Sequence, residues 1–123
     1  MDDNQSKELN LIAQTIFDKK GFNILAIDVR DVCSMTDFFV IAEGNVDRHI
    51  QSINKAICEQ LSQAGLKPLH VEGQKAGDWI VIDFGQIVVH LFTSDLREHY
   101  AIETLWKEGK VVDLHINLVS SSK

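Results

Sequence analysis

The chain has no run of about 18 or more uncharged apolar residues, so no membrane-spanning helix is expected. Its opening, Met1-Asp2-Asp3-Asn4-Gln5, is acidic and polar, the wrong chemistry for a secretory signal or an arginine-rich transit peptide. Cysteine is scarce. Cys33 and Cys58 are the only two and form no Cys-x-x-Cys, so neither a disulfide framework nor a zinc site is expected, and a reducing cytoplasm suits the chain. Clustered positive charge is also missing, since Lys19-Lys20 is the only adjacent basic pair. A nucleic-acid binder needs a basic stripe to neutralise phosphates, so direct sequence-specific contact with nucleic acid is not expected. Neither Gly-x-Gly-x-x-Gly nor Gly-Lys-Ser/Thr occurs, so no cofactor is expected. No internal repeat, linker or low-complexity segment breaks the chain, apart from the short Ser120–Ser122 end.

What is present is an ordinary globular composition on 123 residues, with 45% apolar and 24% charged residues. That length implies one domain over 1–123, with a core of about 6–108 and a C-terminal tail of 109–123. Net charge is −6, from 18 acids against 12 bases. Between Asp78 and Glu103 stand Asp83, Asp95 and Glu98 as well, against Arg97 as the single base. An acidic face of this kind suits a basic protein partner.

Leu9, Ile12, Ala13, Ile16 and Phe17 recur at helical spacing and predict a helix over Ser6–Lys20, stopped by Gly21. Ile24–Val29 and Phe38–Ala42 read as strands. A second helix follows Gly44, with Asn45 as its N-cap and Val46, Ile50, Ile53, Ile57 and Leu61 as its buried stripe, and ends at Gly65. Leu69–Glu72 reads as a third strand, giving Phe38–Glu72 the length of a right-handed parallel β-α-β crossover. A last helix is predicted from Ser94 or Asp95 to about Lys107, followed by a weakly apolar tail. The expected fold class is α/β (α+β), a mixed sheet of about five strands with helices packed on it.

The richest segment runs from Trp79 to Phe92. Two apolar runs flank Gly85-Gln86, the glycine-first pattern of a two-residue hairpin turn. Pairing Phe84 with Ile87 sets Asp83 against Val88, Ile82 against Val89, Val81 against His90, Ile80 against Leu91 and Trp79 against Phe92. Side chains alternate faces. Ile80, Ile82, Phe84, Ile87, Val89 and Leu91 make a core face. Trp79, Val81, Asp83, Val88, His90 and Phe92 make a mixed face, the composition of a docking surface or a site.

Several chemistries compete for these residues. Asp83 and His90 are diagonal neighbours within hydrogen-bond reach, but no nucleophile accompanies them, so a polar pair that orients the surface is favoured over an acid–base dyad. His70, Glu72, His90 and His99 include ligand types for a metal, yet no His-x-x-x-His or cysteine pair supports them. The turn at Gly44 opens a helix, and helix starts attract anions, but a tight turn is the simpler reading. Nucleotidyl transfer needs an Asp-x-Asp or Asp-x-Glu pair after such a turn, and none follows Gly44. Trp79 fits either an interface anchor or a residue closing the end of the core, and the pattern alone leaves both open. Core packing is favoured for Trp106.

Thr36-Asp37-Phe38-Phe39-Val40-Ile41, Gly44, Arg48, Glu72-Gly73, Asp78 to Gly85, Val88 to Phe92, and Arg97-x-x-Tyr100-x-x-Glu103-x-Leu105-Trp106 together resemble the ribosomal silencing factor family, also called Iojap-like. The resemblance spans roughly Leu9–Trp106. It implies a nucleotidyltransferase-like core without catalytic carboxylates, and a cytoplasmic translation repressor rather than an enzyme. It implies docking on the large ribosomal subunit through its ribosomal protein number fourteen, on the subunit-joining face, so that the small subunit cannot join. A homodimer of the free protein is a further implication. Carried over by position, the partner-binding residues are Glu72, Gly73, Asp78, Trp79, Asp83, His90, Phe92, Arg97 and Tyr100. Gln86 departs from the acid many relatives carry, and the tail beyond Trp106 has no counterpart, its suggested role being to cover a sheet edge. Two other readings stand beside this one: a nucleotide-acting enzyme using Asp37, Glu72 and Asp83, and a homodimeric adaptor using the same patch on itself.

Overall fold

Apolar side chains of both parities along Phe38–Gly44 require a strand covered on both faces, and all of its residues except the half-buried Phe39 are buried. The computed structural model describes residues 3–75, 77–94, 109–112 and 114. Along them run α1 (Asp3–Asp18), β1 (Phe22–Asp28), β2 (Phe38–Gly44), α2 (Asp47–Gln63), β3 (His70–Glu72), β4 (Trp79–Asp83), β5 (Ile87–Thr93) and β6 (Lys110–Val111). The six strands form one sheet in the order β3-β4-β5-β2-β1-β6. Only β2 and β5 pair in parallel, and every other neighbour is antiparallel.

The hairpin register follows the sequence pattern, with Trp79 opposite Phe92, Val81 opposite His90 and Asp83 opposite Val88. The crossover expectation needs correction. Strand β3 does run in the direction of β2, but β5 and β4 lie between them and β3 forms the far edge. The sheet also has a sixth strand within the stretch read as tail: Lys110 and Val111 pair with Asp28 and Ile27 and so cover the β1 edge.

Helices α1 and α2 pack on one face. Leu9, Ile12 and Ile16 from α1 and Ile50, Ile53, Ile57 and Leu61 from α2 meet Ala26, Phe38, Val40, Ile80, Ile82, Val89 and Leu91 from the sheet. Ile27, Val29, Ile41 and Phe92 are buried on the other face, with Leu25, Cys33, Phe39 and Trp79 packed against them.

Helix ends depart from expectation in instructive ways. Helix α1 begins three residues earlier than its apolar spacing suggested. At its end Lys20, not Gly21, takes the left-handed conformation, at φ 68°, while the Gly21 N–H donates to the Ile16 carbonyl at 2.8 Å. The N-cap of α2 is Val46, which offers no side-chain acceptor and is 56% exposed rather than part of the buried stripe. Asn45 does not cap. Its N–H instead donates to His49 Nδ1 at 3.0 Å, and His49 Nε2 donates to the Lys19 carbonyl at 2.6 Å. One imidazole thus ties the end of α1 to the start of α2. The predicted last helix lies outside the described residues from Asp95 onward.

Candidate partner-docking surface

The mixed face begins with the turn that sets its register. Gly85 sits at φ 93°, a conformation open to glycine, and the Phe84 N–H donates to the Ile87 carbonyl at 2.9 Å. Asp83 Oδ1 accepts from the Gly85 N–H at 2.7 Å, which braces the turn. The Gln86 carbonyl accepts from the backbone N–H groups of both Asp37 and Phe38 at 3.0 Å, seating the turn on the start of β2. Gln5 donates to Asp37 Oδ2 at 2.9 Å and to Gln86 Oε1 at 3.3 Å, so α1 also holds this corner.

Parallel pairing of β2 with β5 on one side and antiparallel pairing of β3 with β4 on the other then extend the face by two strands. Its rows, read across the sheet, are His70–Asp83–Val88–Phe39, Glu72–Val81–His90–Ile41 and Trp79–Phe92–Glu43. His70, Glu72 and Asp83 lie toward the β3 edge, Phe39, Ile41 and Phe92 lie toward the middle, and the buried Glu43 closes the third row on β2. Four rings form a connected group. Trp79 and Phe92 stack at 5.1 Å between centroids, His90 and Phe92 stack at 6.0 Å, and the Phe39 ring meets His90 edge-on at 5.1 Å. Trp79 Nε1 donates to His90 Nδ1 at 3.4 Å, a long bond. Burial pushes the His90 imidazole down to about 4, so the ring is neutral at physiological pH. A neutral ring that accepts at Nδ1 carries its proton on Nε2.

The approach to Trp79 is fixed by the loop between β3 and β4. Gly73 has φ 87°, and a Cβ there would collide with the Trp79 carbonyl. The Gly77 N–H donates to the Gly73 carbonyl at 2.8 Å, and Gln51 Nε2 on α2 donates to the Gln74 carbonyl at 2.9 Å. The Thr93 N–H donates to the Asp78 carbonyl at 3.0 Å, which holds the loop exit beside the end of β5.

Of the residues singled out from sequence, Glu72, Gly73 and Asp78 are exposed, and Trp79, Asp83 and His90 are half-buried. Phe92 is completely buried, so it can act on a partner only by supporting Trp79. Arg97, His99 and Tyr100 lie outside the described residues. The expected Asp83–His90 pair is not made: the Asp83 carboxylate is used by the Gly85 N–H and the His90 nitrogen by Trp79. Among the described residues, no three His, Cys, Asp or Glu side chains gather where they could hold a metal ion. Phe39 was missed as a member of the face, although its opposite parity to Phe38 was a usable signal. Cys33 packs into the second core, and burial, with Glu59 beside it, raises the Cys58 thiol pKa. Among the described residues no helix is long and apolar enough to cross a membrane.

Comparison with known proteins places this geometry in context. The profile of a family described as "Ribosomal silencing factor during starvation" matches residues 2–123. A protein of Bacillus subtilis named ribosomal silencing factor RsfS is 33% identical over 115 residues, covering 94% of this chain and 98% of its own length. A mouse protein named mitochondrial assembly of ribosomal large subunit protein 1 is 28% identical over 102 residues, covering 80% of this chain and 45% of its own. A crystal structure from Bacillus halodurans superimposes with a TM-score of 0.77 at 30% identity, over 88% of this chain and 98% of that one.

Proposed function

The chain belongs to the ribosomal silencing factor family, and on that footing we propose that it docks on the large ribosomal subunit and keeps the small subunit from joining. The docking partner in this reading is ribosomal protein number fourteen, on the subunit-joining face, and translation falls because the site is sterically occupied. The observation that carries it is the half-buried Trp79, stacked on the buried Phe92 and rimmed by the exposed Glu72 and Asp78. An aromatic anchor on a rigid base inside a charged rim is how a few residues supply most of a docking energy. Acidic rim groups suit a basic ribosomal protein and speed encounter with it. The family resemblance adds Arg97 and Tyr100 to the partner-binding residues of this reading. The mouse relative's name, which refers to the large subunit, supports the choice of subunit.

The surface does no bond-making in this reading. Asp37 and Asp83, two of the acids an enzyme would need, have oxygens accepting from Gln5 and from the Gly85 N–H. In this reading they hold the corner of the sheet.

Co-sedimentation with isolated large and small subunits tests the proposal. The protein should travel with the large subunit alone and should reduce formation of joined particles. Sedimentation with neither subunit would sink it. A homodimer that persists in the presence of large subunits would instead place the patch between two copies.

A further inference from the structure

The His90 ring stands at the centre of the aromatic group and is half-buried. It meets Phe39 edge-on, lies parallel to Phe92 within 8°, and accepts from the Trp79 indole. Trp79 packs against the second core, and its stack on Phe92 sets the tilt of the indole plane. A stack tolerates rotation within its plane, whereas a hydrogen bond to Nε1 fixes which edge of the indole faces inward. The remaining neighbours of His90 in its sheet row are Val81 and Ile41, neither of which offers a side-chain acceptor. Glu72, further along the row, is exposed at the sheet edge.

We propose that His90 is a positioning residue for docking: its neutral Nδ1 accepts the Trp79 indole N–H and so fixes the rotation in which Trp79 meets the large ribosomal subunit. This inference rests on the docking role of Trp79. It assigns His90 no contact of its own with the partner. Its effect on binding passes through the indole.

Two substitutions separate this role from simple packing. His90→Phe keeps a ring against Phe39 and Phe92 but removes the acceptor. His90→Asn loses the ring but puts an amide oxygen near the position of Nδ1. Losing the orientation that this internal bond imposes is expected to weaken binding by up to about fivefold, the equivalent of one neutral hydrogen bond. His90→Phe should therefore bind large subunits up to about fivefold more weakly while melting close to wild type. His90→Asn should recover binding to within about twofold although it melts lower. The second readout needs no ribosome. In the full-length protein labelled with nitrogen-15, the Trp79 indole N–H resonance, assigned by its absence from Trp79→Phe, should shift in His90→Phe and stay near its wild-type position in His90→Asn.

Equal binding losses that follow the melting temperatures would make His90 merely structural and overturn the proposal. So would an indole resonance indifferent to the His90→Phe change. If wild type binds no large subunit, the docking reading fails, and the resonance alone then shows whether His90 orients the indole.

Discussion

Trp79 stacks on Phe92 with ring centroids 5.1 Å apart and planes inclined by 26°, and the two residues are direct cross-strand partners at the open end of the hairpin. One ring is half-exposed and the other has no solvent contact. The pair therefore joins the second core to the surface, and the two sides of that junction respond differently to mutation.

Trp79→Ala should reduce co-sedimentation with large subunits at least tenfold, about 1.4 kcal/mol or more. Because the indole is also part of the second core, unfolding in urea should show a loss of about 2 kcal/mol with the cooperative transition intact. A variant that binds normally would remove Trp79 from the docking surface.

Gly73→Ala should be more damaging than its small size suggests. The added Cβ meets a backbone carbonyl rather than a flexible side chain, and the residue already sits at positive φ. A loss of about 2 kcal/mol or more is expected, with faster amide exchange at Val71 and Glu72 as the edge strand is pushed off β4. Unchanged melting would mean that the loop takes up the Cβ by shifting as a unit.

Asp83→Ala removes the acceptor for the Gly85 N–H. The turn should loosen at a cost of about 1 kcal/mol, visible as a lower midpoint in urea. Weakening of subunit binding already present in Asp83→Asn, which keeps an acceptor oxygen but no charge, would report the carboxylate charge facing the partner.

Stability should also fall with acid because of His90. The folded state keeps this imidazole neutral down to about pH 4, while the unfolded chain takes up a proton near the ordinary value of 6.5. As pH falls from about 6.5 towards 4, only the unfolded state gains the proton, so stability is lost across that window and the loss levels off below it. The contribution reaches about 3 kcal/mol at most. Denaturation of wild type and His90→Phe from pH 7 to pH 4 checks this, since the variant should lack this part of the slope. By sheet register the nearest ionisable neighbours are Asp83 and Glu43 on the adjacent strands, with Glu72 and His70 one strand further out, and parallel Asp83→Asn, Glu43→Gln and Glu72→Gln variants separate these carboxylates from His90.

The hairpin was legible because period-two alternation fixes both the register and the faces, and Gly85-Gln86 leaves one way to turn. The parallel β2–β5 pair was not, because nothing local in Phe38–Gly44 names a partner far along the chain. Two residues of pairing at Lys110–Val111 are too short to leave a pattern. Asn45 looked like a cap because its residue type prefers that position, but His49 reaches its backbone N–H instead. In the site, the shared face of Trp79, His90 and Phe92 could be read directly, whereas the depth of each ring could not. Burial depends on Phe39 and Ile41 arriving from β2, and the bonding of Asp83 was decided by the closer donor in its own turn.

The parallel β2–β5 pair also governs when the face proposed for docking comes into being. Strand β2 first meets its neighbour β1, which precedes it in the chain, but Phe39 has no His90 to pack on until β5 has been made. Joining these segments closes a long loop, an entropic barrier that local hairpins do not face. During synthesis the aromatic group is therefore a late event. A chain emerging from a ribosome carries no assembled Trp79 platform until β5 is out, so the proposed docking face forms only after Phe92 has been added.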